Sequence, residues 1–166
     1  MSFPGAAMSD LDALADRVRA AIPLTTHLDF RFTAFDGERL TLTAPLAPNH
    51  NDKGTFFAGS QAALLTLAGW ACTTLMADAA VGKGLAAEAS VDVVAVESSL
   101  QFRAPLHGDI EIRAWADDGE SGRFHQRLKR RGKASLAILA RATDAQGVVV
   151  SEYQGLYLAR NNTDNA

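Results

Sequence analysis

The sequence predicts an α+β fold in which a curled antiparallel sheet wraps around one long apolar helix. Three observations carry that expectation. Residues 54–77 contain no charged side chain. Most of the second half alternates apolar and polar residues with a period of two, the signature of half-buried strands. The chain has 166 residues, 48% of them hydrophobic, enough for one core without disulfide or metal staples. A helix that is apolar all round needs cover on more than one side, and a curled sheet supplies it.

The elements follow in order. Residues 1–8 read as a loose tail, 9–160 as a single domain and 161–166 as a second tail. Ser9, with Asp12 three positions on, has the pattern of a capping box, and Leu11, Leu14, Val18 and Ile22 follow at helical spacing until Pro23. Leu28, Phe30 and Phe32 alternate with Asp29, Arg31 and Thr33 as a strand; Asp36-Gly37 marks a hairpin, and Leu40 and Leu42 begin the return. Two prolines, two asparagines and a glycine make 44–54 a loop. The uncharged helix starts near Ala58 and ends before Gly82 and Gly84. Val94, Val96, Ser98, Leu100 and Phe102 then form one strand face, with Glu97, Ser99, Gln101 and Arg103 on the other, and Ile110, Ile112 and Ala114 begin the next strand. Residues 120–131 suit a short helix closed by Gly132, with a bulged strand as the alternative. Residues 135–143 and 148–158 pair around Asp144–Gly147. The edges and apolar margin of such a half-barrel predict association of two copies.

Composition narrows the function. One cysteine, Cys72, excludes an internal disulfide and a cysteine-based zinc site, and the four histidines show no metal-ligand spacing, so neither metal nor cofactor is expected. A net charge of −3 and a pI near 5.8 argue against nucleic-acid binding. The first residues lack the basic and apolar regions of a secretory signal, which with a free thiol points to the cytoplasm. Residues 54–77 are long enough to span a bilayer, but their small residues, polar side chains such as Ser60, Gln61, Thr66, Thr73 and Thr74, and lack of basic flanks favour a buried helix and no membrane partner.

Chemistry concentrates where Asn51-Asp52-Lys53-Gly54-Thr55-Phe56-Phe57-Ala58-Gly59-Ser60 runs into the helix. A helix N-terminus carries unpaired N–H groups and about half a positive charge, which in a dry cleft can hold a carbonyl oxygen as it becomes an oxyanion. Gly59 would let a substrate approach the backbone, and Asn51 would orient a water or the carbonyl. The same residues also fit a plain capped helix, with Ser60 as cap, Gly54 and Gly59 as hinges and Asn51 holding the loop.

This string, with Leu67-Ala68-Gly69-Trp70, Gln101-Phe102-Arg103-Ala104-Pro105, Gly108-Asp109 and Arg131-Gly132-Lys133-Ala134, resembles the YiiD C-terminal putative thioesterase family of the hotdog-fold superfamily. The resemblance covers residues from about 25 to 160 and is carried mainly by Gly-Thr-Phe-Phe-Ala-Gly-Ser. It implies a sheet wrapped around the helix, a homodimer at minimum, with pairing of dimers into a tetramer left open, and an acyl thioester of coenzyme A or acyl carrier protein as substrate. It also implies Asn51 and the Gly59 amide as the frame of the thioester carbonyl. Relatives place a carboxylate about two turns into this helix to activate water; here that position is Thr66, and Phe57 stands where many have histidine.

Other groups are candidates for the missing base. Glu97 would serve if its strand face meets the cleft, and His50 if its imidazole enters it; Ser60 and Thr66 can position water. Gly54, Thr55, Phe56, Phe57 and Trp70 are candidates to line the acyl site. Cys72 reads as packing. Arg123, Arg127, Lys129, Arg130, Arg131 and Lys133 form a basic run suited either to carrier phosphates or an acidic carrier protein, or to simple solvation. The sequence therefore predicts thioester hydrolysis, with a non-catalytic acyl-binding module as the second reading and a basic-helix interaction protein as the third.

Overall fold

The computed structural model describes residues 4–82 and 91–162. Gly84 and the outer residues of both expected tails, 1–3 and 163–166, lie outside them. The chain forms α1 (Met8–Ala21), β1 (Arg31–Phe35), β2 (Arg39–Ala44), α2 (Ala58–Val81), β3 (Val91–Phe102), β4 (Ile110–Ala116), α3 (Glu120–Arg131), β5 (Lys133–Thr143) and β6 (Val149–Asn161). The strands make one six-stranded antiparallel sheet in the order β1-β2-β4-β5-β6-β3.

The apolar stripe of α1 buries Leu11, Leu14, Ala15 and Val18, but its start differs from the sequence expectation. The helix begins two residues earlier, at Met8 after Ala7, and has no side-chain cap, so Ser9 lies in its first turn. The chain is fixed there instead by the sheet, through the Ala6 amide donating to the Phe35 carbonyl at 3.1 Å. Ile22 falls past the helix and is exposed. Pro23–His27 form a 3-10 turn rather than leading into a strand, and Asp29 is left-handed with φ 50°. The Leu28 carbonyl is claimed by the Asn49 side chain, which delays β1 to Arg31. The Asp36-Gly37 hairpin forms as expected, with Asp36 Oδ1 accepting from the Glu38 and Arg39 amides.

Helix α2 is long and apolar enough to cross a membrane, yet most of it is buried by the sheet and the other helices. Leu64, Leu65, Ala68, Ala71, Cys72 and Met76 have no exposed surface. Burial pushes the Cys72 thiol up to about 12, so the group stays protonated and acts as packing. Gly82, at φ 70°, ends the helix with its amide bonded back into the last turn. Two glycines far apart in sequence make room for a buried pair of tyrosines. A Cβ on Gly69 would strike the Tyr157 hydroxyl, and one on Gly155 would meet Tyr153 and Tyr157. Tyr153 donates to the Tyr157 oxygen at 2.7 Å, because Tyr157 spends its own hydrogen on the Thr66 carbonyl at 2.8 Å. That chain fastens the middle of α2 to β6.

Strand β3 departs most from its sequence reading. A bulge between Ala95 and Glu97 breaks the two-residue period. Val94 pairs with Leu158 and Glu97 with Leu156, on the outer face, whereas Leu100 pairs with Tyr153 and Phe102 with Ser151, on the face toward α2. Val94 and Phe102 therefore do not share a face. β3 is also an edge strand, and Val94, Val96 and Phe102 are each more than half exposed. The opposite edge, β1, is short, bulged and covered by α1. Residues 120–131 form the expected helix, capped by Gly132 at φ 67°, with Phe124, His125 and Leu128 buried.

Two stability measurements follow. Alanine normally gains about 1 kcal/mol over glycine within a helix, but Gly69→Ala is expected to lose about 1–3 kcal/mol through overpacking against Tyr157. A lower urea midpoint at unchanged m would show this; a raised midpoint would contradict it. Burial holds the His125 imidazole below its ordinary range; its Nδ1 contact with the Ser121 carbonyl opposes this, and the Lys129 charge adds to it. The unfolded chain then binds more protons at acid pH, so this contribution is whole above about pH 6.5 and is lost as pH falls. Tm should drop less between pH 7.5 and 5.5 in His125→Gln than in the parent; equal drops would remove His125 from the pH dependence.

Candidate active site

The loop before α2 is tied down by a buried residue that the sequence reading passed over. The Asn49 side-chain amide donates to the Leu28 and Pro45 carbonyls, both at 2.9 Å, and the Asn49 carbonyl accepts the Phe57 amide at 2.7 Å. Its Oδ1 is buried and has no hydrogen-bond partner among the described residues. Phe56 is inserted into the core, with its amide donating to the Leu106 carbonyl at 2.8 Å. Gln61 then joins helix to sheet: its Nε2 donates to the Phe56 carbonyl at 3.3 Å, and its Oε1 accepts from the Ser151 hydroxyl. These contacts fix where α2 begins.

Asn51 organises the turn that follows. Its Oδ1 accepts the Lys53 amide at 2.9 Å and the Thr55 amide at 3.1 Å, and its Nδ2 donates to Thr55 Oγ1 at 2.8 Å. Two amide donors facing one side-chain atom require it to be the oxygen, which settles the orientation of the group. Both acceptor positions are filled and one N–H remains. Asn51 can therefore donate to a carbonyl oxygen or to a water oxygen, but its side chain has no acceptor left. Gly54 closes the turn at φ 75°, a left-handed conformation that suits glycine.

The first turn of α2 lies beside this loop. The residue before the helix is Phe57, so Ser60 is not its cap, and no side chain caps it. The amides of Ala58, Gly59 and Ser60 make no hydrogen bond within the described residues, and the first two residues are exposed. His50, Asn51, Asp52, Lys53, Phe57 and Ala58 line an open cleft of about 660 Å³ at this helix end. The Phe57 ring, half exposed, rests on Gly59 where a Cβ would be. The glycine thus accommodates Phe57 as well as any ligand. His50 is exposed, and its Nδ1 lies 3.1 Å from the Asn51 carbonyl. A carbonyl only accepts, so this contact puts the proton on Nδ1 and leaves the Nε2 lone pair open.

Thr66 and Trp70, both half buried, continue along the face of α2 that begins at exposed Gly59, whereas half-buried Ser60 is turned about 100° from that face. Thr66 contributes its carbonyl to Tyr157, and Trp70 donates its indole N–H to the Val93 carbonyl at 3.0 Å. Asn51, His50, Phe57 and the helix start are thus brought together, with Gly54 and Thr55 as their scaffold. Two expectations are corrected. Phe56 is core and offers no surface to an acyl chain, because its amide pairing with Leu106 turns it inward. Glu97 lies on the outer face of the sheet with Leu156, away from α2, because it alternates with Leu100 and Phe102, which face the helix. Asn49, Gln61, Ser151 and the tyrosine pair escaped sequence reading because each acts through a contact distant in the chain.

The family model described as putative thioesterase (YiiD C-terminal) matches residues 11–161. The chain belongs to that family. Solved structures with the same hotdog fold include a thioesterase described as putative from Shewanella oneidensis, 23% identical, with a TM-score of 0.76 over 92% of this chain and 98% of that one. A protein of unknown function from Chlorobaculum tepidum is 24% identical, with a TM-score of 0.75 over 92% and 97%. A thioesterase from Haemophilus influenzae is 14% identical, with a TM-score of 0.71 over 99% of both chains. A search of curated proteins returned no match.

The loop assignment is testable by hydrogen exchange. Asn51→Ala should speed exchange of the Lys53 and Thr55 amides, whereas Asn51→Asp, which keeps an acceptor, should leave them protected. Equal protection in the parent and the alanine variant would contradict the assignment.

Proposed function

We propose that this chain is a cytoplasmic homodimer that hydrolyses acyl thioesters of coenzyme A or acyl carrier protein, as its family suggests. The observation that carries the proposal is the uncapped start of α2, where Ala58 lines the same open cleft as Asn51 and His50. Such donors stabilise an oxyanion strongly only where water is excluded. In a single protomer this cleft is open, so the reading needs a second copy to cover it.

The edge strand β3 supports that copy. A twelve-residue strand exposed on both faces, with Val94, Val96 and Phe102 half bare, is an unmet pairing surface. Two β3 strands related by a two-fold axis would pair antiparallel and extend the sheet across the dimer. Exposed Gly59 and half-buried Thr66 and Trp70 would then border the acyl site with Phe57.

In the proposed reaction, a water oxygen attacks the thioester carbon. Its proton passes to His50 Nε2, and the oxyanion is held by the α2 amides and the remaining Asn51 N–H. Collapse breaks the C–S bond, and the leaving sulfur takes the proton back from His50, giving a carboxylic acid and a free thiol. No cofactor is needed. Ser60, in the first turn of α2, would hold the water. A second reading is favoured by Thr66 itself, which occupies the helix position where a carboxylate base would be expected: the domain binds acyl thioesters without turnover.

A thiol-release assay over a panel of acyl-CoA chain lengths separates the two. Asn51→Asp should lower kcat/KM tenfold or more, about 1.4 kcal/mol in barrier, while keeping the loop folded. His50→Gln should lower kcat. Saturable binding with no thiol release would establish the binding module instead.

A further inference from the structure

The outer face of the sheet, turned away from α2, carries a second set of residues with binding chemistry. Along β5, Ala134, Leu136, Ile138, Ala140 and Ala142 are buried toward the helix, so Ala137, Leu139 and Arg141 point outward. Register places their neighbours. Arg113 of β4 faces Arg141 directly, Trp115 stands between Arg39 of β2 and Leu139, and Ala137 pairs with Leu156 of β6. Leu158 then faces Val94 of β3. Trp115, Leu139, Ala137, Leu156, Leu158 and Val94 thus form an apolar diagonal over four strands, each at least partly exposed, with three arginines at its head. The diagonal covers about 14 Å across the strands and about 13 Å along them.

The head of the diagonal has guanidinium groups to spare. Arg113 opposite Arg141 is a like-charge cross-strand pair, which costs stability. The Arg39 and Arg141 guanidinium carbons lie 5.8 Å and 5.7 Å from the centre of the Trp115 ring, a contact that uses their faces and leaves N–H edges open. Among the described residues no ion pair engages Arg39. Arg141 reaches Glu152 only at 3.5 Å, and the other oxygen of that carboxylate holds Arg103 at 2.8 Å. These arginines and Trp115 line an open cleft of about 690 Å³. Its three carboxylates are already engaged. Glu111 pairs with Arg113 at 2.9 Å, Asp109 accepts the Leu46 amide at 2.9 Å, and Asp144 accepts the Gln146 and Val148 amides, both at 2.9 Å. Open guanidinium edges favour an anion, and the diagonal leading away from them favours an apolar chain on that anion. A second hollow of about 320 Å³, whose lining includes Ala137, Gln154 and Leu156, continues along the same face.

We propose that this face binds a single-chain amphiphile with a carboxylate head, a long-chain fatty acid in chemistry. The head sits at Arg39 and Arg141, and the chain follows the diagonal toward Leu158. A guanidinium edge meets a carboxylate through two parallel hydrogen bonds. The chain covers leucine side chains that the free protein leaves partly in water. The sheet separates this site from α2, and the inference does not depend on thioester hydrolysis.

The test uses the full chain and sodium dodecanoate below its micellar concentration, followed by NMR of the Trp115 indole N–H, which Trp115→Phe identifies. The parent should show a saturable shift of that resonance at one equivalent per chain. Hexanoate, with the same head and a shorter chain, and dodecanol, with the same chain and no charge, should each bind tenfold or more weakly. Arg39→Gln/Arg141→Gln and, separately, Leu156→Asp should weaken dodecanoate binding tenfold or more while Tm and thiol release from acyl-CoA stay at the parent's values. Dodecanoate that shifts only the Ala58, Gly59 and Ser60 amides, or that binds both variants as it binds the parent, would overturn the proposal. So would binding to anionic phosphatidylglycerol vesicles without binding of the monomeric acid. A parent tetramer that falls to a dimer in Leu156→Asp would give the face to a second copy of the chain and overturn it too. Dodecanoate held at Trp115 by a chain that releases no thiol would uphold this inference and refute hydrolysis.

Discussion

Burial of α2 is the constraint on which the rest of the molecule depends. With no charge between residues 54 and 77, the segment has no face to offer water over most of its length, and the fold encloses it. One sheet of six strands covers most of the helix and leaves Gly59 exposed and Thr66 and Trp70 half buried. Enclosure also decides what happens at the two ends. Gly82 closes the C-terminal end with bonds back into the helix, whereas the N-terminal end keeps its amides open. A long apolar helix stabilised by packing can leave one end uncapped, since a missing cap costs only about 1 kcal/mol.

Several polar residues convert that uncapped end into a defined place. Asn49 and Gln61 are both buried and spend their side chains on backbone and hydroxyl groups of distant segments. They hold the loop from its inner side, and Asn51 shapes its outer side. The arrangement leaves one Asn51 N–H, the His50 Nε2 and the first α2 amides unpaired among the described residues beside a shared cleft, with Phe57 over Gly59. Donors outnumber acceptors there, which favours an oxygen bearing negative charge.

The sequence made much of this legible where the signal is local. Alternation along residues 133–143, the Asp36-Gly37 turn and the glycine after α3 each appear in the structure where they were expected. Non-local contacts were not legible. Phe56 and Phe57 are adjacent and identical in type, and only the pairing of Phe56 with Leu106 sends one inward and leaves the other out. The β3 bulge put Val94 on the face of Glu97, opposite Leu100, because a period-two reading has no means of registering an extra residue. Gly69 read as one more small residue in a small-residue helix, although its reason is Tyr157, 88 positions away. At the site, residue types were legible but the assignment of hydrogen bonds was not. Asn51 as a pure donor emerges only from its partners Lys53 and Thr55.

The central claim is that the open amides of α2 receive the substrate carbonyl. Amide NMR during titration with an acyl-CoA analogue whose thioester sulfur is replaced by CH₂, keeping the carbonyl, reads it directly. The account predicts saturable downfield shifts and slowed exchange at Ala58, Gly59 and Ser60, larger than at any other helix start. Saturable binding of the analogue that leaves those three amides unmoved would contradict it.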